Sequence, residues 1–176
     1  IMFHSAPQSY LIALVSIIVF TGPLVSARSS ESIFFLQCHD GDTCLGTRPD
    51  GSQIKVRISG IYAPEIGRDY ASEAVQFVES LVKNQNIEVE CDGASYARQT
   101  CFLKKDGVDL NSAIVKAGYA WDFPRHSNGK YAADEADARK HKRGLWAGQH
   151  IVSPFCQRQM TADSERLCKT KPQEQD

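Results

Sequence analysis

The chain has no excess of either charge. Its 20 Lys and Arg against 21 Asp and Glu leave a net charge of -1 over 176 residues, so a polyanion would have to be held by a local cluster rather than by the field of the whole molecule. It lacks a CxxC pair and any Cys/His grouping with zinc spacing, which removes the common structural zinc sites. No internal repeat is present, and that argues against solenoids and propellers. Nor is any apolar run long enough to span a bilayer comfortably: LIALVSIIVF at 11–20 is soon broken by Gly22 and Pro23. With the small residues Val25, Ser26 and Ala27 ahead of Arg28, that run predicts a secretory signal peptide over 1–27, although the segment before it carries no Lys or Arg.

Six cysteines are present, at 38, 44, 91, 101, 156 and 168, all beyond the expected cleavage point. An even number in a secreted chain favours disulfides. Of the fifteen pairings six cysteines allow, local pairing is the one expected: Cys38 with Cys44 around an acidic turn, Cys91 with Cys101 around a loop between strands, and Cys156 with Cys168 in the tail; the alternative is that some are reduced core thiols. The length fits one domain with a real core. It is expected over 28–148, followed by a polar tail over 149–176 whose last residues are disordered.

The chain is organised around residues 40–65. Asp40-Gly41-Asp42 and Asp50-Gly51 make two acidic turns joined by strands. Ile54, Val56 and Ile58 alternate with Lys55, Arg57 and Ser59, a period that buries the first set and turns Arg57 to the opposite face. Carboxylates and a guanidinium on one surface suit a hard cation and a phosphate oxygen. Residues 32–38 read as the strand before this segment. Ala71, Ala74, Val75, Val78, Leu81 and Val82 then recur at helical spacing over 69–83.

Strands follow around Ile87, Val89 and Cys91 and over 100–103, separated by a loop that carries Tyr96 and Arg98. Asp109 is placed to cap a short helix ending near Gly118. A polar connection over 122–130 leads to a third helix over 131–143, stopped by Gly144. Asp134, Glu135 and Asp137 read as a solvated face, and so does the basic run 139–143. The pattern is α+β, and it suggests a five-stranded OB-fold β-barrel with three helices.

Five motifs stand in register: DGDT at 40–43, VRISGIYAPE at 56–65, YAR at 96–98, DLN at 109–111, and Tyr131, Glu135, Ala138 and Arg139 leading to GLW at 144–146. Together they resemble the staphylococcal nuclease family over about 35–146. That resemblance implies an OB-fold barrel and a secreted, calcium-dependent phosphodiesterase acting on DNA and RNA, and it supports the barrel over other α+β arrangements. It further implies that Arg57 and Arg98 grip the scissile phosphate and that Glu65 activates or positions the attacking water. Asp42 would ligate calcium with the carbonyl of Ala63, and Thr43 and Asp40 would stand beside the metal. Tyr96 would touch the substrate, and Trp121 and Phe123 are candidates to stack on bases.

One departure matters. Where the family usually has an aspartate that binds calcium, this chain has Tyr62, a phenol that is a poor calcium ligand. A weakened calcium site is therefore expected. The partner would be single-stranded DNA or RNA, and the protein a secreted or periplasmic monomer with no stable membrane association after cleavage. Two alternatives remain at this stage: a non-catalytic OB-fold module binding nucleic acid or another polyanion, and an accessory of bacterial exopolysaccharide (succinoglycan) biosynthesis, as some family members are assigned. The chain shows no glycan site, and two arginines beside the carboxylates fit a phosphodiester better than a sugar ring.

Overall fold

The computed structural model describes residues 30–95 and 97–148. The expected signal peptide, the tail with Cys156 and Cys168, and Tyr96 lie outside the described residues.

Five strands close a barrel. They are β1 (Ser30–Asp40), β2 (Thr43–Thr47), β3 (Gln53–Ile58), β5 (Asn86–Ser95) and β6 (Arg98–Lys105), in the order β3-β2-β1-β5-β6, with β7 (Val108–Asp109) beyond β6. Neighbours run antiparallel, and the barrel is sealed where β3 meets β6 in parallel, with Arg57 opposite Thr100. A second, two-stranded sheet pairs β4 (Ile61–Tyr62) with β8 (Trp121–Asp122). Among the described residues there are four helices, α1 (Ala71–Val82), α2 (Leu110–Lys116), α3 (Pro124–Ser127) and α4 (Ala132–Lys140), followed by a 3-10 turn at Gly144–Ala147. The expected OB-fold barrel is thus present, with one helix more than the three expected.

The alternation in β3 has its predicted effect: Ile54, Val56 and Ile58 point into a core shared with Ile33, Phe35, Ile87, Val89 and Leu103, all less than a twentieth exposed. Each such side chain contributes roughly 1.5–3 kcal/mol relative to an exposed one. Val78 and Val82 on α1 and Ile114 and Val115 on α2 extend that core. Ser59 departs from the alternation. The strand ends at Ile58, and Ser59 is buried with its N–H donated to the Cys101 carbonyl at 2.8 Å. The helix over 69–83 is two residues shorter at its start and one at its end.

Asp109 caps α2 as predicted, its carboxylate accepting the Ser112 N–H at 3.1 Å. Two residues on, Asn111 is fully buried, accepting from Leu103 N–H and donating to the Ser59 carbonyl. It ties α2 to β6 and to the end of β3. Gly118, at φ +83°, ends α2 where no side chain fits, because a Cβ there would lie 2.2 Å from the Arg143 carbonyl oxygen.

The expected loop before Arg98 is mostly strand, since β5 runs out to Ser95 and β6 back from Arg98. The connection over 122–130 holds β8 and α3. Glu135 corrects the reading of a solvated acidic face: it is 2% exposed, one carboxylate oxygen accepts the Asp122 N–H at 2.7 Å, and the other pairs with Arg139 at 2.6 Å. Much of the basic run is engaged within the fold. Arg139 lies 3.7 Å from the Trp146 ring centroid, and His141 and Arg143 both pair with Asp137.

Candidate active site

The outer face of β2, β3 and β6 carries polar side chains because the inner face is filled by Cys44, Val56, Ile58 and Cys101. Thr43 on β2 stands opposite Arg57 on β3, and across the seam Arg57 stands opposite Thr100 on β6. Arg98, two residues before Thr100, shares its face. The structure brings Arg98 and Thr43 together, Nη1 to Oγ1 at 3.5 Å.

Arg57 is held firmly. Its two terminal nitrogens donate to the carbonyls of Ile58 at 2.6 Å and Ile61 at 2.8 Å, and Nη2 lies 3.0 Å from Asp42 Oδ2. A planar fork fixed at three points keeps its direction when a ligand arrives.

Asp42 is 7% exposed. Its Oδ1 accepts the Thr43 hydroxyl at 3.2 Å, its Oδ2 accepts the Ala63 N–H at 3.0 Å, and its own N–H donates to Asp40 Oδ1 at 3.0 Å. Burial raises its pKa from 3.8 to about 7 against the opposing pull of Arg57, with Asp40 adding to the rise. Gly41 makes this packing feasible, for a Cβ there would stand 2.6 Å from the Ala63 Cβ and 2.9 Å from the Ala74 Cβ.

The Ala63–Asp42 bond pins the segment that leads through buried Pro64 to Glu65, which is half-exposed where the chain turns back, its carbonyl accepting the Arg68 N–H at 3.0 Å. Asp40, Asp42, Thr43, Arg57, Ala63 and Arg98 are therefore joined by direct contacts, and Glu65 follows two residues along the chain. Trp121 is 5% exposed, with its ring edge-on to Trp146 at 5.7 Å. Burial closes it to a base, so Trp121 is set aside as a stacking candidate.

Phe123 remains half-exposed, and it leans on Tyr62 at 3.9 Å and on His126 at 4.6 Å between ring centroids. Tyr62 in turn lies beneath the Arg57 guanidinium, 5.7 Å from its ring centroid. In the sequence Tyr62 stands out only as a missing ligand, and its contacts are not visible there. The antiparallel partnering of Tyr62 with Trp121 has no periodic signal that could have disclosed it.

Hard oxygens gather at this face from Asp40, Asp42 and the Thr43 hydroxyl, the donor chemistry calcium prefers. Among the described residues no three His, Cys, Asp or Glu side chains converge as a metal cluster, so the set is compatible with a hard cation but poor in charge. No helix among the described residues is long and apolar enough to cross a membrane.

Comparison with known proteins places these motifs in context. The sequence model described as staphylococcal nuclease homologue matches residues 55–148. An uncharacterized endonuclease of Haemophilus influenzae is 25% identical over 140 residues, covering 78% of this chain and 79% of its own. An uncharacterized endonuclease of Escherichia coli O157:H7 is 26% identical over 140 residues, covering 78% and 90%. A probable staphylococcal-like nuclease of Oryza sativa is 28% identical over 105 residues, and there the match spans 58% of this chain and 21% of the rice protein.

Proposed function

Since the chain belongs to the staphylococcal nuclease homologue family, whose sequence model covers residues 55–148 of its 176, we propose that it is a secreted, calcium-dependent endonuclease that hydrolyses phosphodiester bonds of DNA or RNA, single strands preferred. Membership supports nuclease activity at the level of the family; the finer reading rests on the site. The observation that carries it is the face on which Arg57 and Arg98 stand beside Asp42 and Thr43 across the barrel seam.

A phosphodiester under attack gathers negative charge on its equatorial oxygens. Two guanidiniums fixed by the barrel stabilise that charge without having to reorganise. Glu65 accepts the proton of the attacking water or aligns it. Asp42, Asp40, Thr43 and the Ala63 carbonyl would hold the calcium ion, which when bound neutralises phosphate charge and orders water. Phe123 offers a half-exposed ring to a neighbouring base, and Tyr96 is assigned to the substrate by resemblance. The disulfides Cys38–Cys44 and Cys91–Cys101 suit an oxidising compartment, outside the cytoplasm.

A second reading is favoured by one observation. Tyr62 stands where a calcium-binding carboxylate is usual, and the Arg57 fork is already engaged by Asp42 and two carbonyls. On that reading the face binds a polyanion without cleaving it.

Hydrolysis of a single-stranded oligonucleotide by the purified protein, titrated with calcium and then with chelator, separates the two. Cleavage that needs calcium, falls by about two orders of magnitude or more in Glu65→Gln, and leaves oligonucleotide binding intact supports the enzyme. Binding without cleavage at every calcium concentration establishes the module instead, and undiminished cleavage by Glu65→Gln removes that residue from the chemistry.

A further inference from the structure

Both hairpins that carry the site are crossed by a disulfide below their tips. Cys38 and Cys44 are directly paired across β1 and β2 and are bonded to each other. Beyond them lie only residues 39–43, which include Asp40, Asp42 and Thr43. Cys91 and Cys101 are directly paired across β5 and β6 and are likewise bonded. Beyond them lie 92–100, which include Arg98. One hairpin supplies the carboxylates and the other a guanidinium, and the two meet at the Thr43–Arg98 contact.

In each hairpin the ladder slips just past the bridge. The register shifts between Cys38 and Asp40, and again between Cys91 and Gly93. A bulge leaves a residue unpaired, so each bridge stands where the ladder is interrupted, although β5 and β6 resume pairing beyond it from Gly93–Thr100 to Ser95–Arg98. Cys44 and Cys101, at most 1% exposed, anchor each bridge inside that core. The loops closed are short, with sequence separations of 6 and 10. Loops this short remove less entropy from the unfolded chain than longer cross-links would, and the constraint the bridges impose on the native state falls on the tips that lie beyond them.

Resting on the nuclease reading above, we propose that the Cys38–Cys44 and Cys91–Cys101 disulfides are positioning elements for phosphodiester cleavage. They hold the tips bearing Asp40, Asp42, Thr43 and Arg98 in the geometry the transition state requires, so hydrolysis depends on their oxidised state. Reduction consumes a dithiol, which passes two electrons and two protons to each bridge, breaks the S–S bond and leaves two thiols while the dithiol itself closes to a disulfide. The barrel remains and its tips loosen.

The test compares the parent protein with two paired variants, Cys38→Ala with Cys44→Ala and Cys91→Ala with Cys101→Ala. Cleavage of a single-stranded oligonucleotide is measured well below each melting temperature, with circular dichroism confirming the fold. A displacement of the order of an ångström at a reacting group costs about a hundredfold in rate, so kcat is expected to fall by about that factor in each pair. The second pair should also show a raised KM, because Arg98 meets the phosphate before reaction. Folded variants with kcat within about twofold of the parent's overturn the proposal.

Should either pair fail to fold, amide hydrogen exchange on the parent before and after reduction decides the matter. Faster exchange confined to 39–43 and 92–100, with the amides of Ile33, Val56 and Val89 still protected, supports stapled tips. A uniform increase, or none, overturns them. A parent that cleaves nothing sinks the nuclease reading itself, an outcome distinct from active parent and active variants.

Discussion

Asp42 is the residue at which burial, charge and the proposed calcium chemistry meet. Its folded pKa of about 7 lies above the 3.8 of an unburied carboxyl, so over the interval between them the native state holds a proton that the unfolded chain has released. Its contribution to stability is complete below pH 3.8 and is lost as pH rises to about 7. In metal-free protein, Asp42→Asn should flatten the fall in urea midpoint across that window, and an identical pH profile for parent and variant would count against the buried carboxyl as its cause. The same proton competes with a cation. Calcium should therefore bind more weakly at pH 5 than at pH 8, by calorimetry at fixed ionic strength. Tyr62 allows a complementary trial: Tyr62→Asp adds a formal charge to the donor set, and the calcium concentration for half-maximal hydrolysis should drop about tenfold. An unchanged titration would mean that the missing ligand is already supplied from elsewhere.

At the scale of elements, the strands and helices with a clear period were legible in the sequence. β3 declared itself by the alternation of Ile54, Val56 and Ile58, α1 by its apolar stripe, and α2 by the Asp109 cap. The pairings Cys38 with Cys44 and Cys91 with Cys101 agree with local pairing, which the sequence offers as one of fifteen arrangements and does not single out. What the sequence concealed were elements too short to carry a period, β4, β8 and α3, and one residue whose partner is a backbone group. Glu135 sits four residues before Arg139, a spacing typical of a solvated ion pair, and nothing local says that the Asp122 N–H needs an acceptor. β8 itself carries a cost: Asp122 is 5% exposed, and neither of its carboxylate oxygens has a hydrogen-bond partner among the described residues. Asp122→Val suits a strand and removes that burden, with an expected gain of about 1–3 kcal/mol in unfolding free energy. A loss in the denaturant midpoint would reveal a partner for Asp122.

On the scale of the whole molecule, the candidate site was legible as a set of residues but not as a geometry. DGDT and VRISGIYAPE named Asp42, Thr43, Arg57 and Glu65, while the burial of Trp121 and the seat of Tyr62 under Arg57 emerged only once the barrel had closed around them. That closure joins Arg57 to Thr100 between strands far apart in the chain. Contacts of long sequence separation are slow to form, since the chain must first surrender loop entropy. α1 and the β1–β2 hairpin, being local, should form earlier. In refolding from urea with disulfides intact, helical ellipticity is expected to recover ahead of nuclease activity, in stopped-flow circular dichroism beside a quenched assay, and simultaneous recovery would mean that the seam forms with the rest. The parallel seam between β3 and β6 thus acts as a clock: the candidate face stays incomplete until residues from well-separated parts of the chain have met.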